Sequence, residues 1–330
     1  MSVLKLKLSP MDGCGITPCY MSGACPDLAD VDPDVDPDTW EREGGRALLR
    51  VLESNGFPFP EEMVHNHQAL HIAGLGITKL RPETPYSGKS NYKELLAPLT
   101  ALFGAVKLIG GKSFSFANEN SGAIIRDIAP RKDAEKEISS QGWAHELHWH
   151  MDGAFKPLIE VSQRTPAPRW LVFVSIYNCP ETPITFVDLD EVIKTLKPSV
   201  IKTLLLPIFD VCSPASFSPP ELSKNFAILF KTSSGGFFSR YNQSLTRTTK
   251  RAGVDALAEF SRAVRECAKV HKVNARPGDV VVLDNWRTLH MRPAYKPRWD
   301  GTDRWLLRVY AAEKHRQIFP VNESVPRVCG

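Results

Sequence analysis

Pro277-Gly-Asp-Val-Val-Val-Leu-Asp-Asn-Trp-Arg-Thr-Leu-His-Met-Arg292 opens on a Gly-Asp turn, continues as an apolar run of strand length, and delivers His290 just past the end of that run. A short apolar run bounded by turn residues reads as a strand covered on both faces. Similar pieces recur from about residue 105 onward: Val106–Ile109, Ala123–Ile128, Trp170–Ile176, Ala227–Phe230 and Trp305–Tyr310, separated by Gly, Pro, Asn and Asp. Two helices interrupt them, Asp188 to Leu206 and Val254 to Val270, each with apolar residues at helical spacing. A doubly wound sheet needs a helix after nearly every strand. The pattern therefore predicts a mainly β chain with surrounding helices (α+β), built as a barrel or sandwich.

Upstream of residue 105 the texture differs. Residues 1–8 alternate apolar with Lys or Ser and predict an opening strand. Asp38-Thr-Trp-Glu41 predicts a capping box with Asp38 as N-cap, opening an amphipathic helix toward Ser54. A second helix is expected from about Tyr92 to Phe103, and Phe57-Pro-Phe-Pro60 and Pro82 to Ser90 read as punctuation. No composition shift marks a linker, so one domain is expected over 1–330, with a helical portion at about 1–104, a β-barrel core at about 105–312 and a C-terminal tail at 313–330.

The chain has 330 residues, with Lys+Arg 41 against Asp+Glu 37 and a net charge of +4. Its basic residues are scattered, so no nucleic acid is expected as partner. The longest apolar stretches fall far short of the ~20 residues of a membrane helix. No secretory leader is evident, so no membrane partner and a cytoplasmic address are expected. Seven cysteines in a long chain fit reduced thiols, including Cys14, Cys19 and Cys25, whose spacing matches no zinc or iron–sulfur pattern.

Three motifs fail on inspection. Asp30, Asp32, Asp34, Asp36, Asp38 and Glu41 have the offsets of a calcium loop, but Val35 stands where the sharp turn requires Gly, and Pro33 and Pro37 stiffen the chain. Gly110-Gly-Lys-Ser113 resembles a phosphate loop that would need Gly where Val106 stands. His145-Glu-Leu-His148 lacks the spacing of a zinc peptidase helix.

The stretch Gly142-Trp-Ala-His-Glu-Leu-His-Trp-His-Met-Asp152 holds three of the chain's nine histidines. His150 and Asp152 are two apart, and on an extended strand such residues share a face. A third ligand is needed, and His290 is the best candidate. Two imidazoles and one carboxylate on one face of a metal leave three positions open, the arrangement by which non-haem Fe(II) binds a bidentate cosubstrate and O2 together. Arg304 and Arg308 follow His290 by even separations on one strand, so both guanidinium groups face one side, toward the barrel interior. Buried arginine requires an anionic partner, and a dicarboxylate supplies one.

In the HxD pair, in His290 within a GD-apolar-DNxxxLH segment, and in the RxxxR strand, the sequence resembles the Fe(II)/2-oxoglutarate dioxygenases of the taurine dioxygenase superfamily. The similarity is greatest to the clavaminate synthase-like branch, which includes amino-acid hydroxylases, and it covers roughly residues 105 to 312. The resemblance implies a double-stranded β-helix (jelly-roll, cupin-like) core. It implies His150, Asp152 and His290 as catalytic iron ligands, with Fe(II), 2-oxoglutarate and O2 as the required partners. It makes Arg304 the clamp on the far carboxylate of 2-oxoglutarate, with Thr185, or else Thr182, as a further contact. Arg308, Asn118, Glu119 and Asn120 become substrate-binding candidates. The expected reaction is hydroxylation of an unactivated C–H bond of a small molecule, most simply a free amino acid or a derivative, with release of succinate and CO2. Desaturation or cyclisation would use the same ligands. Two readings of another class stand beside it: a ligand-binding barrel without turnover, and a zinc hydrolase using His145, His148 and His150.

Overall fold

The computed structural model describes residues 3–8, 28–57, 66–75, 81–160 and 163–330. Two sheets form its frame, a larger mixed one and a smaller one that is antiparallel throughout. The larger orders its strands as Val3–Lys7, Ala69–Ala73, Val280–Asp284, Trp170–Tyr177, Trp305–Glu313, Gly111–Phe116 and Val328–Cys329, and Arg126–Ile128 also pairs with Trp305–Glu313. The smaller runs Val270–Val273, Ile184–Asp188, Thr288–Arg292 and Leu147–His150.

Alternation explains why the apolar runs are continuous. In Val280–Asp284 the side chains of Val281 and Leu283 join a core cluster that also holds Phe186, Val187 and Leu289 of the smaller sheet. Val280 and Val282 join a second cluster with the N-terminal helices. Leu171 and Phe173 divide from Val172 and Val174 in the same way. A strand covered on both faces has no polar side, which is the property read from residues 277–292.

Helices Pro37–Ser54 and Leu96–Leu108 cover the outer face of the larger sheet. They cross with their backbones nearly touching: a Cβ on Gly44 would stand 2.6 Å from the Thr100 carbonyl oxygen, and one on Gly104 2.5 Å from that of Gly44.

Several expectations are corrected. The N-cap of the first helix is Asp36, whose side chain accepts from the Thr39 N–H, because Pro37 is suited to the first helical position. Glu41 turns inward instead and accepts from both the N–H and the hydroxyl of Ser113. Residues 106–109, expected as a strand, end the helix Leu96–Leu108, since burial on every side made helix and strand alike in pattern. The expected helix 188–206 is two short ones, Leu189–Ile193 and Pro198–Leu204, parted where Pro198 starts a new helix. The segment expected as strand at 227–230 pairs only over Leu229–Lys231. The portion up to about 104 is not purely helical: Ala69–Ala73 is a strand of the larger sheet.

In the acidic loop the Asp34 carboxylate accepts from the Ile124 N–H at 2.7 Å. Cys14, Cys19, Cys25 and residues 58–60 lie outside the described residues, while Cys179, Cys212, Cys267 and Cys329 are free thiols. Among the described residues no helix is long and apolar enough to cross a membrane.

Candidate metal centre and active site

Strand pairing brings the distant ligand candidates together. His290 lies opposite His150 in the smaller sheet, and paired residues share a face, so the two rings meet with centroids 4.2 Å apart. Asp152 follows just after the His150 strand, and its Oδ1 lies 3.4 Å from His150 Nε2 and 3.6 Å from His290 Nε2. One ligand atom from each residue lies within 4.8 Å of the others, and this is the one such metal-competent group among the described residues. His145 and His148 do not join it; His148 Nδ1 faces Glu146 at 3.1 Å instead.

The surroundings orient these groups. His150 Nδ1–H donates to the His148 carbonyl at 2.7 Å, which leaves Nε2 as the lone-pair nitrogen. Asn285 clamps the Asp152 backbone: its Oδ1 accepts from the Asp152 N–H, and its Nδ2 donates to the carbonyls of Asp152 and Pro168, all at 2.8–2.9 Å. Gly153 then turns the chain with φ +72, where a side chain would also crowd Pro168 at 3.0 Å. At the start of the His290 segment, Asp279 accepts from the N–H groups of Gly74 and Arg276 and faces His71 Nε2 at 2.9 Å, tying the turn to the Ala69–Ala73 strand.

Arg308 Nη1 reaches Asp152 Oδ2 at 2.7 Å, and its guanidinium lies over the Tyr310 ring at 3.9 Å. Burial alone would raise the Asp152 carboxyl, but Arg308 and the two histidines outweigh it and hold the group well below the usual carboxylate range. Burial, with the His150 ring beside it, pushes His290 down to about 4. At neutral pH the three groups thus stand as one carboxylate and neutral His290 beside His150.

Arg304 is buried, and its Nε donates to the Thr182 carbonyl at 3.2 Å. Its Nη1 has no partner, and neither do the buried Tyr295 hydroxyl and Arg292 Nε. Tyr295 is raised by burial and pulled back by Arg304 and Arg292, so the three form one electrostatic neighbourhood. A buried guanidinium with an unmet donor fits the far carboxylate of a dicarboxylic acid.

Thr185 stands opposite Met291, while its neighbour Phe186 stands opposite His290. Alternation therefore turns the Thr185 side chain to the face away from His290, where its hydroxyl donates to the Pro183 carbonyl at 3.2 Å. Thr182 is the threonine in contact with Arg304.

A cavity of about 450 Å³ opens beside His150, Asp152 and Arg308 and is lined by Glu119. Glu119 Oε1 lies 3.6 Å from both Arg308 and Arg126. Its sequence neighbours go elsewhere because Asn120 and Ser121 take positive φ and reverse the chain. Asn118 donates to Glu221, Asn120 donates to the Ala123 and Ile125 carbonyls, and both border an adjacent cavity. Trp149 and Phe155 are buried in the core, and Trp143 packs edge-on against Trp299. Sequence reasoning passed over Asn285, although it sits inside the quoted DNxxxLH segment. It also passed over Arg126, Tyr295 and Asn242, which carry no local signal.

Comparison with known proteins gives a matching account. Residues 215–310 match the model of the taurine catabolism dioxygenase TauD, TfdA family. L-asparagine oxygenase of Streptomyces coelicolor is 26% identical over 248 residues, which is 73% of this chain and 70% of that protein. Clavaminate synthase 2 of Streptomyces clavuligerus is 42% identical over 73 residues, 22% of each chain. A solved non-heme iron oxygenase in complex with Fe and alpha-ketoglutaric acid superposes with a TM-score of 0.77 at 22% identity, covering 99% of this chain and 100% of that one. With the His150–Asp152–His290 group in place, these likenesses make the chain similar to the Fe(II)/2-oxoglutarate-dependent oxygenases of the TauD, TfdA family and to the amino-acid oxygenases and clavaminate synthase among them.

Proposed function

We propose that this chain hydroxylates an unactivated C–H bond of a free amino acid, with 2-oxoglutarate leaving as succinate and CO2. The observation that carries the reading is the convergence of His150, Asp152 and His290 beside a cavity whose charged lining, Glu119 and Arg308, matches a zwitterion. The two sheets are read as the halves of a jelly-roll core, and residues 1–330 as one domain.

Fe(II), held by His150, Asp152 and His290 with 2-oxoglutarate and O2, supplies the oxidising power for the C–H bond. The chain's own residues do the positioning. Arg308 occupies Asp152 Oδ2, so the carboxylate presents Oδ1 alone to the centre. Arg304 receives the far carboxylate of 2-oxoglutarate, with Thr182 as the threonine of that clamp. Glu119 attracts the substrate ammonium, and Arg308 with Arg126 attracts its carboxylate. With Asp152 bound to metal, those two guanidinium groups face one free carboxylate, and the surplus positive charge suits one substrate carboxylate. Phe155 and Phe217 in the wall keep water from the reacting carbon.

Anaerobic Fe(II) plus 2-oxoglutarate is expected to give a weak visible charge-transfer band, and a screen of amino acids is expected to give succinate with a product heavier by one oxygen atom. A colourless complex and no succinate on any amino acid would favour a binding-only barrel.

A further inference from the structure

We propose that the amino acid this enzyme takes has a side chain without charge. The proposal rests on the amino-acid reading above and narrows it.

The argument is an accounting of charge around the cavity. Its charged lining consists of Glu119, Asp152, Arg308, Lys136 and Glu137. Asp152 is committed to the metal and to Arg308. Among the described residues of the lining, Glu119 is the buried carboxylate left for an ammonium, and the α-ammonium of any amino acid uses it. Glu137 is bound by Arg131 at 2.9 Å on one oxygen and accepts from the Ser139 hydroxyl on the other, with its side chain 43% exposed. Among the described residues no carboxylate of the lining remains for a second ammonium or a guanidinium. Among the described residues of the lining, the cation not already paired with a carboxylate is Lys136, which is exposed. A charged tip buried here would lack a counter-charge, which is costly in a low-dielectric site.

The wall also holds uncharged side chains. Phe155, Phe217 and Leu245 supply apolar surface, and Asn242 and Ser244 supply polar atoms. Asn242 bridges to His150 along the backbone and is 8% exposed. Its Oδ1 accepts from the N–H groups of Ser244 and Leu245 at 3.0 and 3.1 Å, which leaves Nδ2 as the amide atom those two bonds do not use. Asn242 therefore offers only N–H, the positive end of the amide dipole. That donor accepts a carbonyl or hydroxyl oxygen, or tolerates an apolar group, and opposes a cationic tip.

The test is a panel run on the Fe(II)-loaded full chain: asparagine, glutamine, valine, leucine and methionine against lysine, ornithine and arginine, and against aspartate and glutamate. Succinate release and the mass of the amino acid are read together. The best neutral substrate is expected to exceed every charged one in kcat/KM by about a hundredfold, the scale of leaving one buried charge unpaired. Preferred turnover of lysine, ornithine, arginine, aspartate or glutamate would overturn the proposal and leave the amino-acid reading standing. Absence of an oxygenated product from all ten, with the Fe(II)–2-oxoglutarate band present, would overturn both. Asn242→Asp is expected to move the ratio of arginine or lysine to neutral turnover upward by about tenfold or more, with the absorption band unchanged. An unmoved ratio in a variant that retains the band would remove Asn242 from the side-chain wall and the proposal with it.

Discussion

Arg308 and Asp152 form a pair in which the guanidinium takes one carboxylate oxygen at 2.7 Å and leaves the other between two imidazoles. Asp152 thus has a counter-ion before any metal arrives, which lets a carboxylate persist in a buried site. Arg308→Met would leave that carboxylate unpaired. The metal-free variant is expected to lose about 3 kcal/mol of stability, and loading with Fe(II) is expected to recover more of it than in the unaltered protein. Denaturant midpoints with chelator and with anaerobic Fe(II) measure both. Equal midpoints for the two metal-free proteins would remove Arg308 as the counter-ion.

Arg304 has a different office, since its Nη1 has no hydrogen-bond partner and its charge acts on Tyr295 and Arg292. Arg304→Ala is expected to raise the KM for 2-oxoglutarate by about a hundredfold or more, through loss of a buried charge pair, with iron content unchanged. A titration of succinate formation against 2-oxoglutarate, with metal analysis, checks it.

Asn285 touches Asp152 only through the main chain, yet three hydrogen bonds depend on it. Asn285→Ala is expected to weaken Fe(II) binding by roughly tenfold to a hundredfold, as for other groups that orient a ligand. Anaerobic equilibrium dialysis reads the change, and a variant with native affinity would show that the Gly153 turn alone fixes Asp152.

His148→Ala separates the iron oxygenase from a zinc hydrolase. His148 lies outside the ligand group, so iron content is expected to stay at that of the unaltered protein. Loss of bound metal would favour the hydrolase.

The depressed His290 sets a pH dependence in the metal-free protein. The folded state keeps this group neutral down to about 4, below its ordinary value of 6.5, so the unfolded chain takes up the proton first as the pH falls. Stability is therefore lost from about pH 6.5 downward and levels off near pH 4, by about 3 kcal/mol for this group. Comparing denaturation of the unaltered protein and His290→Gln in chelator across that window isolates the contribution. Parallel curves would show that His290 does not carry it.

Residues with short-range geometry were legible from the chain alone. His150 and Asp152 do meet in one group, although Asp152 stands just past the end of the Leu147–His150 strand, and Arg304 stands just before the Trp305–Glu313 strand that carries Arg308. The continuous apolar run at 280–283 announced a strand covered on both sides. Capping was misread by two residues, because Asp36 and Asp38 offer the same side chain and only Pro37 tells them apart. Residues 106–109 were misread because burial on every side erases the period that distinguishes helix from strand.

Other features belong to the folded molecule only. That His290 stands opposite His150, that Thr185 faces away while Thr182 meets Arg304, and that Glu119 enters the cavity while Asn118 and Asn120 leave it, all depend on pairing register and on one reversal of the backbone. Local composition determines which chemistry a side chain can perform and the face it shares with its near neighbours. Which distant groups it meets is decided by register across a sheet, and a slip of one residue would turn every ligand to the other face.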